Sequence, residues 1–151
     1  MPKGELGFVV EPVEVKDLEE LIALRIRAMQ PSLEAVGRFD PQRARERFAA
    51  SFDAAHTRKL LVDGELAGFY VLFEKLDHLW LDHLYIDPIH QGGGFGGRVI
   101  QVLQKIASNG EQPLRLGALK QSRANQFYLS HGFEQIAEHD WDNIYQWAAH
   151  S

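Results

Sequence analysis

Residues 85–100 read YIDPIHQGGGFGGRVI, with glycine at five of the six positions from Gly92 to Gly97. The run lies between two apolar segments, and each glycine costs a strand or helix roughly 0.5–1 kcal/mol relative to alanine. So many missing side chains in one loop suggest that something must come close to the backbone there. A glycine-rich turn without a ligand is the plain alternative.

Two familiar patterns match this loop by letter and fail by mechanism. Gly92, Gly94 and Gly97 satisfy G-x-G-x-x-G, but a dinucleotide site also needs a carboxylate about 20 residues on, at the end of the next strand. Here that strand ends in LGAL. The loop also starts a few residues after its strand instead of forming the immediate turn. An ATPase-type phosphate loop needs a lysine and then a hydroxyl for magnesium, where this chain has Arg98 and Val99. What remains is an anion cradle: successive backbone N–H groups at the mouth of a helix, helped by the helix dipole.

The flanks place the loop between a strand and a helix. HLWLDHLYI (78–86) is strand-like and closed by Asp87-Pro88, and FGGRVIQVLQKIASNG (95–110) carries Val99, Ile100, Leu103 and Ile106 at helical spacing. Upstream, GFVVEPVEV reads as a first strand, with Pro12 favouring a sheet edge. DLEELIALRIRAM follows as a helix, with Asp17 placed to cap it and Pro31 expected to interrupt it. FDPQRARERFAASF reads as a second helix with an Asp-Pro start. TRKLLVDGELAGFYVLF is a hairpin turning at Asp63-Gly64. PLRLGAL is a fifth strand, SRANQFYLSHGF a short helix stopped by Gly132, and EQIAEHDWDNIYQWAA a closing strand pair. The order is β-α-α-β-β-β-α-β-α-β-β, which suits a mixed sheet with helices on both faces.

Composition narrows the class. The chain has 151 residues, 45% hydrophobic and 25% charged, and reads as one domain, 1–151. It has no cysteine, so disulfides, thiolate metal sites and cysteine nucleophiles are excluded. A formal charge of -5 argues against a nucleic-acid partner. No stretch reads as a secretory signal or a membrane span, so the expectation is a cytoplasmic protein without a membrane partner. No His, Asp and Glu set has convincing metal-ligand spacing.

Read with its flanks, LYIDPIHQGGGFGGRVIQVL resembles the acyl-CoA-binding signature of the GCN5-related N-acetyltransferase (GNAT) superfamily: an apolar strand end, then Gln or Arg-x-x-Gly-x-Gly or Ala. Gln91, Gly94 and Gly96 fall on its marked positions. LGALKQSRANQFYLSHGF is similar to the family's later motif through Ala124, Phe127, Tyr128, Gly132 and Phe133. The resemblance covers nearly the whole chain, and the order of elements agrees with it. It implies an α/β fold whose mostly antiparallel central sheet is splayed between the fourth and fifth strands. It also implies direct transfer of an acetyl group from acetyl-CoA to a primary amine. A module that binds acyl-CoA without turnover is the alternative.

The resemblance also carries site residues. Leu84, Tyr85 and Ile86 would pair their backbone with the pantetheine arm, and Gln91, Gly92, Gly93, Gly94, Phe95, Gly96 and Gly97 would form the pyrophosphate loop. Gln121 stands where the family usually has Asn, so its cofactor contact would be lost or taken over by Asn125. Amine attack on a thioester needs a neutral amine, a donor for the developing oxyanion and a proton for the departing thiolate. A backbone N–H near Leu84 or Tyr85 would serve the oxyanion, and Tyr128 matches the family's acid. The base is open. Trp80 occupies a position where the family often has a carboxylate. Asp82 shares its strand face and would be a buried carboxylate needing a partner or a function. His83 points to the other face. Relay through water to Glu34, or no dedicated base, completes the set.

The acceptor site implied by the family lies in RAMQPSLEAVGRFDPQ and EHDWDNIYQW. There Glu34, Glu138, Asp140 and Asp142 would suit a cationic amine, small molecule or peptide. Trp141, Tyr145 and Trp147 would wall a pocket, stiffen the last strand or form a homodimer contact.

Overall fold

The computed structural model describes residues 7–35 and 40–149. Among the described residues, seven strands and four α-helices follow the expected order: β1 (Val9–Pro12), α1 (Leu18–Ala35), α2 (Pro41–Ser51), β2 (Thr57–Val62), β3 (Glu65–Glu74), β4 (Leu79–Ile86), α3 (Phe95–Asn109), β5 (Leu114–Leu119), α4 (Arg123–Ser130), β6 (Glu134–Glu138) and β7 (Asp142–Trp147). Strand order in the sheet is β1-β2-β3-β4-β5-β7-β6. The β4–β5 pair is parallel, whereas β1–β2, β2–β3, β5–β7 and β6–β7 are antiparallel, so this is a mixed sheet flanked by helices. The chain gathers into two compact units, Met1–Val71 with His83–Gly93, and Leu72–Asp82 with Gly94–Ser151.

In the first unit Pro12 ends the edge strand β1, where a missing N–H is tolerated. α1 buries Leu21, Ile22 and Leu24 on one stripe. Two details differ from the sequence reading. Asp17 does not sit at the N-cap of α1 but at the end of a 3-10 turn, Val15–Asp17, where its carboxylate accepts from the Glu14 N–H at 2.8 Å. The helix also continues through Pro31 to Ala35. Proline removes one i→i−4 bond, and a helix can absorb that loss when the turns on either side persist. α2 starts as its sequence suggests, with Asp40 accepting from the Arg43 N–H at 3.2 Å and Pro41 in the first turn. Asp63 (φ 51°) and Gly64 (φ 81°) make the left-handed turn that joins β2 to β3. Phe48 and Phe69 are both buried and pack ring to ring at 5.6 Å.

In the second unit α3 buries Phe95, Val99, Ile100, Leu103 and Ala107. Ile106, which the spacing assigned to the core, is 40% exposed, and Ala107 takes the inward place. Both residues suit helical periodicity, and the smaller side chain is the buried one. Leu114 and Leu116 of β5 are also buried, and Gly132 (φ 87°) ends α4 as expected.

Candidate functional site

The β4–β5 ladder comprises Leu79↔Leu114, Trp80↔Arg115 and Leu81↔Leu116. It ends before Leu84, Tyr85 and Ile86, the residues assigned to the pantetheine arm. On its other side the strand end is held against β3: Asp87 N–H donates to the Ala67 carbonyl at 2.8 Å, and a Cβ on Gly68 would stand 2.6 Å from the Tyr85 carbonyl oxygen. Gly68 lies at a bulge in β3, where Leu60 pairs with Gly68 and Leu61 with Leu66, leaving Ala67 as the extra residue. A lone glycine inside a strand pattern is the signal for such a close approach, and the sequence reading passed over it.

Alternation along β4 separates the two base candidates. Asp82 is exposed, contrary to the buried carboxylate expected from its apolar neighbours, and accepts from Trp80 Nε1 at 3.1 Å. The apolar run misled because the face that carries Trp80 and Asp82 is less buried than the face that carries Leu79 and Leu81. His83 is half-buried, its ring stacked on Tyr85 at 5.5 Å and set edge-on to Phe48 at 5.7 Å. Its Nδ1 lies 3.0 Å from the Tyr85 hydroxyl, which also accepts from Arg25 Nε at 3.3 Å. Arg25 was not singled out from the sequence, since its partner stands 60 positions away.

The loop begins on a buried anchor. Asp87 is 6% exposed, pairs with Arg27 at 2.7 Å and caps the turn Pro88–His90 by accepting from the Ile89 N–H at 3.3 Å. The Gln91 side chain folds back and donates to the Ile86 carbonyl at 3.0 Å. Gly92 (φ 90°) and Gly94 (φ 79°) are left-handed, a conformation that side chains resist by roughly 1–2 kcal/mol. A Cβ at Gly92 or Gly93 would meet nothing within 4 Å, so the space above the loop backbone is open. Gly94 is the N-cap of α3 and has no side chain to satisfy the first-turn N–H groups. Arg98, in the first turn, places its guanidinium 5.9 Å from the Phe95 ring centre. The donor set suits a pyrophosphate: backbone N–H groups, a helix N-terminus and a nearby cation.

Gly96 and Gly97 do different work. Within the second unit a Cβ on Gly96 would touch Phe127 at 3.4 Å, and one on Gly97 would stand 2.9 Å from the His131 ring. Both let α3 lie close to α4. Tyr128, on α4, packs against Phe127, Phe133 and Tyr145 at 5.4, 5.6 and 6.2 Å between ring centres. Asn125 is committed inside this unit. Its amide donates to the Leu119 and Ser122 carbonyls at 2.8 and 3.0 Å, and its oxygen accepts from Asn143 and the Tyr145 hydroxyl at 3.0 and 2.7 Å. A cofactor contact by Asn125 would have to break that network. Gln121 is exposed and left-handed (φ 68°). Asn tolerates that backbone better than Gln.

A model of the acetyltransferase (GNAT) domain matches residues 55–135. The chain belongs to the GNAT acetyltransferase family. Solved GNAT structures share its fold. The PaiA N-acetyltransferase from Thermoplasma acidophilum, in complex with coenzyme A, is 17% identical, with a TM-score of 0.78 over 94% of this chain and 99% of that one. An acetyltransferase from Thermus thermophilus is 18% identical, with a TM-score of 0.72 over 94% and 97%. A GNAT-family acetyltransferase from Listeria monocytogenes is 17% identical, with a TM-score of 0.70 over 99% of both chains. No curated protein matches.

The region expected to receive the acceptor in this GNAT chain is less acidic in effect than its composition suggests. Glu138 is paired with Lys120 at 2.7 Å, and that lysine holds its carboxyl below the usual range. Tyr145 is buried with its hydroxyl donating to Asn125 Oδ1. Trp141 is 68% exposed. The Glu34 side chain and the connection at 36–39 lie outside the described residues.

Proposed function

We propose that this GNAT chain transfers the acetyl group of acetyl-CoA to a primary amine by direct attack on the thioester. The observation that carries the reading is the loop from Gln91 to Gly97. It leaves a strand whose ladder with β5 has already ended, turns through two left-handed glycines and enters α3 with no capping side chain. Such a segment offers backbone donors to a pyrophosphate. Gln91 braces the strand end, Gly92, Gly93 and Gly94 keep the backbone approachable, and the first-turn N–H groups of Phe95, Gly96 and Gly97 complete the cradle. Leu84, Tyr85 and Ile86 present strand backbone for the amide-bearing arm.

Acetyl-CoA supplies an activated acyl group, so this chain's residues need only orient it, stabilise the oxyanion and manage two protons. A backbone N–H near Leu84 or Tyr85 serves the oxyanion. Tyr128 donates to the departing sulfur, a phenol being protonated at neutral pH (reference pKa about 10). Asp82 and His83 are the candidates for taking the amine proton. The acceptor is a small-molecule or peptide amine.

The test is release of free thiol from acetyl-CoA across a panel of amines, with thermal shift by CoA as a separate measure of binding. Turnover with at least one amine, reduced roughly 10²-fold or more in Tyr128→Phe, is the expected result. CoA binding without turnover on any amine would favour a non-catalytic module, and no CoA-induced shift at all would sink both readings.

A further inference from the structure

The sense of the Asn125 amide is decided by groups that can act in only one way. Its nitrogen faces two backbone carbonyls, Leu119 at 2.8 Å and Ser122 at 3.0 Å, and a carbonyl only accepts. The NH2 group therefore lies on that side and Oδ1 on the other. An amide oxygen has two lone pairs and no hydrogen, so what it meets must donate. It meets Asn143 Nδ2 at 3.0 Å and the buried Tyr145 hydroxyl at 2.7 Å. The far end is fixed in the same way. Gln135 Nε2 donates to the Ala137 carbonyl at 3.3 Å and to Asn143 Oδ1 at 3.1 Å, which turns the Asn143 nitrogen toward Asn125. One directed network thus joins the end of β5, the start of α4, and both closing strands.

The network holds a strained entry to α4. Ser122 is the N-cap, yet its side chain makes no capping bond, and its Oγ lies 3.3 Å from the Asn125 amide nitrogen instead. Between the two carbonyls that Asn125 bridges lie Lys120 and Gln121, and Gln121 is left-handed (φ 68°). A non-glycine residue stays in that conformation only where its surroundings over-determine it, and the amide closing across the turn does so. Tyr128 lies three residues further on the same helix face. Its ring packs on that of Tyr145 at 6.2 Å. Tyr145 is therefore tied to the start of α4 by its hydroxyl and to Tyr128 by its ring. We propose that Asn125 is a positioning residue: by joining the α4 entry to β7 it sets where the Tyr128 ring and hydroxyl stand.

The consequence for catalysis rests on the reading of Tyr128 as the acid for the departing thiolate. A proton donor must be held within hydrogen-bond reach of the sulfur, and a misplacement of about 1 Å can cost on the order of 10²-fold in rate. No group of the network belongs to the loop from Gln91 to Gly97. Loss of Asn125 should therefore act on the chemical step and leave CoA affinity nearly unchanged.

The test places 13C in the tyrosine rings, of which the full chain has four, and assigns Tyr128 by the loss of its signal in Tyr128→Phe. Asn125→Ala removes the whole amide, whereas Asn125→Asp keeps its shape and loses both donors to the turn. Each is expected to move the Tyr128 signal. Well below the melting temperature, each should lower kcat roughly 10-fold or more while the CoA dissociation constant changes less than about 2-fold. Added to Tyr128→Phe, Asn125→Ala should cost less than about 2-fold further, because a residue acting through Tyr128 has no hydroxyl left to place. An unmoved Tyr128 signal in whichever variant folds overturns the proposal. So does an equal fold-loss of kcat with and without the Tyr128 hydroxyl, the mark of a merely structural role. The spectrum needs no turnover, so a displaced signal without acetyl transfer to any amine would sink the proposed function and leave this placement standing.

Discussion

Arg27 Nη2 lies 2.7 Å from Asp87 Oδ2, joining α1 to the residue where β4 ends and the glycine loop begins. The two members are unequally placed: the Asp87 side chain is 9% exposed and the Arg27 side chain 49%. Removing the arginine therefore leaves a buried carboxylate with its capping bond to the Ile89 N–H but without its cation. Arg27→Met is expected to cost about 1.5–3 kcal/mol, the range for hydrogen bonds to charged groups, reaching the low side of a broken buried pair. Chemical denaturation checks the stability. Steady-state kinetics should show KM for acetyl-CoA rising more than kcat falls, because the loop's take-off is loosened while Tyr128 is untouched. Unchanged stability and unchanged KM would make the pair incidental.

Gly68 is a second support of the same strand. The nearest atom to an added Cβ would be backbone, the Tyr85 carbonyl oxygen at 2.6 Å, which cannot swing aside as a side chain would. Gly68→Ala should destabilise the fold by about 1–3 kcal/mol, as overpacking does. A midpoint of urea unfolding equal to that of the wild type would count against this close approach.

The glycines of the loop can be separated by experiment. A Cβ at Gly93 meets nothing, and its φ is not left-handed, so Gly93→Ala should leave the melting temperature nearly unchanged. The proposed cradle nevertheless expects it to weaken CoA binding, because the methyl group would stand where the pyrophosphate approaches. Gly97→Ala should behave in the opposite way. It crowds the His131 ring at 2.9 Å and loosens α3 against α4, lowering stability first. Calorimetric titration with CoA beside thermal melts distinguishes the two, and equal CoA affinity in Gly93→Ala and wild type would remove that residue from the cradle.

Asp17 predicts an acid dependence. The backbone N–H of Glu14 holds its carboxyl below the usual range, with a further contribution from Lys59, whose Nζ is 3.4 Å away. A carboxyl depressed in the folded state contributes stability that is complete above its unfolded pKa, about 3.9, and is lost as pH falls through the folded value. The wild type should therefore lose melting temperature below about pH 4 more steeply than Asp17→Asn, which should be less stable at pH 7. Parallel profiles for the two proteins would contradict this assignment.

The local chemistry of the chain was legible in its sequence. The order of elements, the Asp63-Gly64 turn and the Asp40-Pro41 helix start all follow from short-range rules that need no partner. The two motifs around Gln91–Gly96 and Tyr128 pointed to the family that the domain match then established. The sequence reading failed where a residue's environment comes from elsewhere in the chain. Asp82 looked buried among apolar neighbours and is exposed. The partners of Asn125 (Leu119, Ser122, Asn143 and Tyr145) were likewise not legible in the sequence.

The glycine loop shows the same division. Sequence alone determined that the backbone between β4 and α3 is unencumbered and that a helix mouth follows it, because glycine and helix periodicity are local properties. Only the tertiary structure separated Gly92 and Gly94, required by left-handed backbone, from Gly96 and Gly97, required by the approach of Phe127 and His131. It alone brought Arg25 to Tyr85 and Arg27 to Asp87, each across 60 positions. Charge pairs and hydrogen-bond chains of that span leave no periodic trace in a sequence. They form when α1 and the end of β4 are packed into one unit, and the donors and acceptors facing each other there set which atoms are paired.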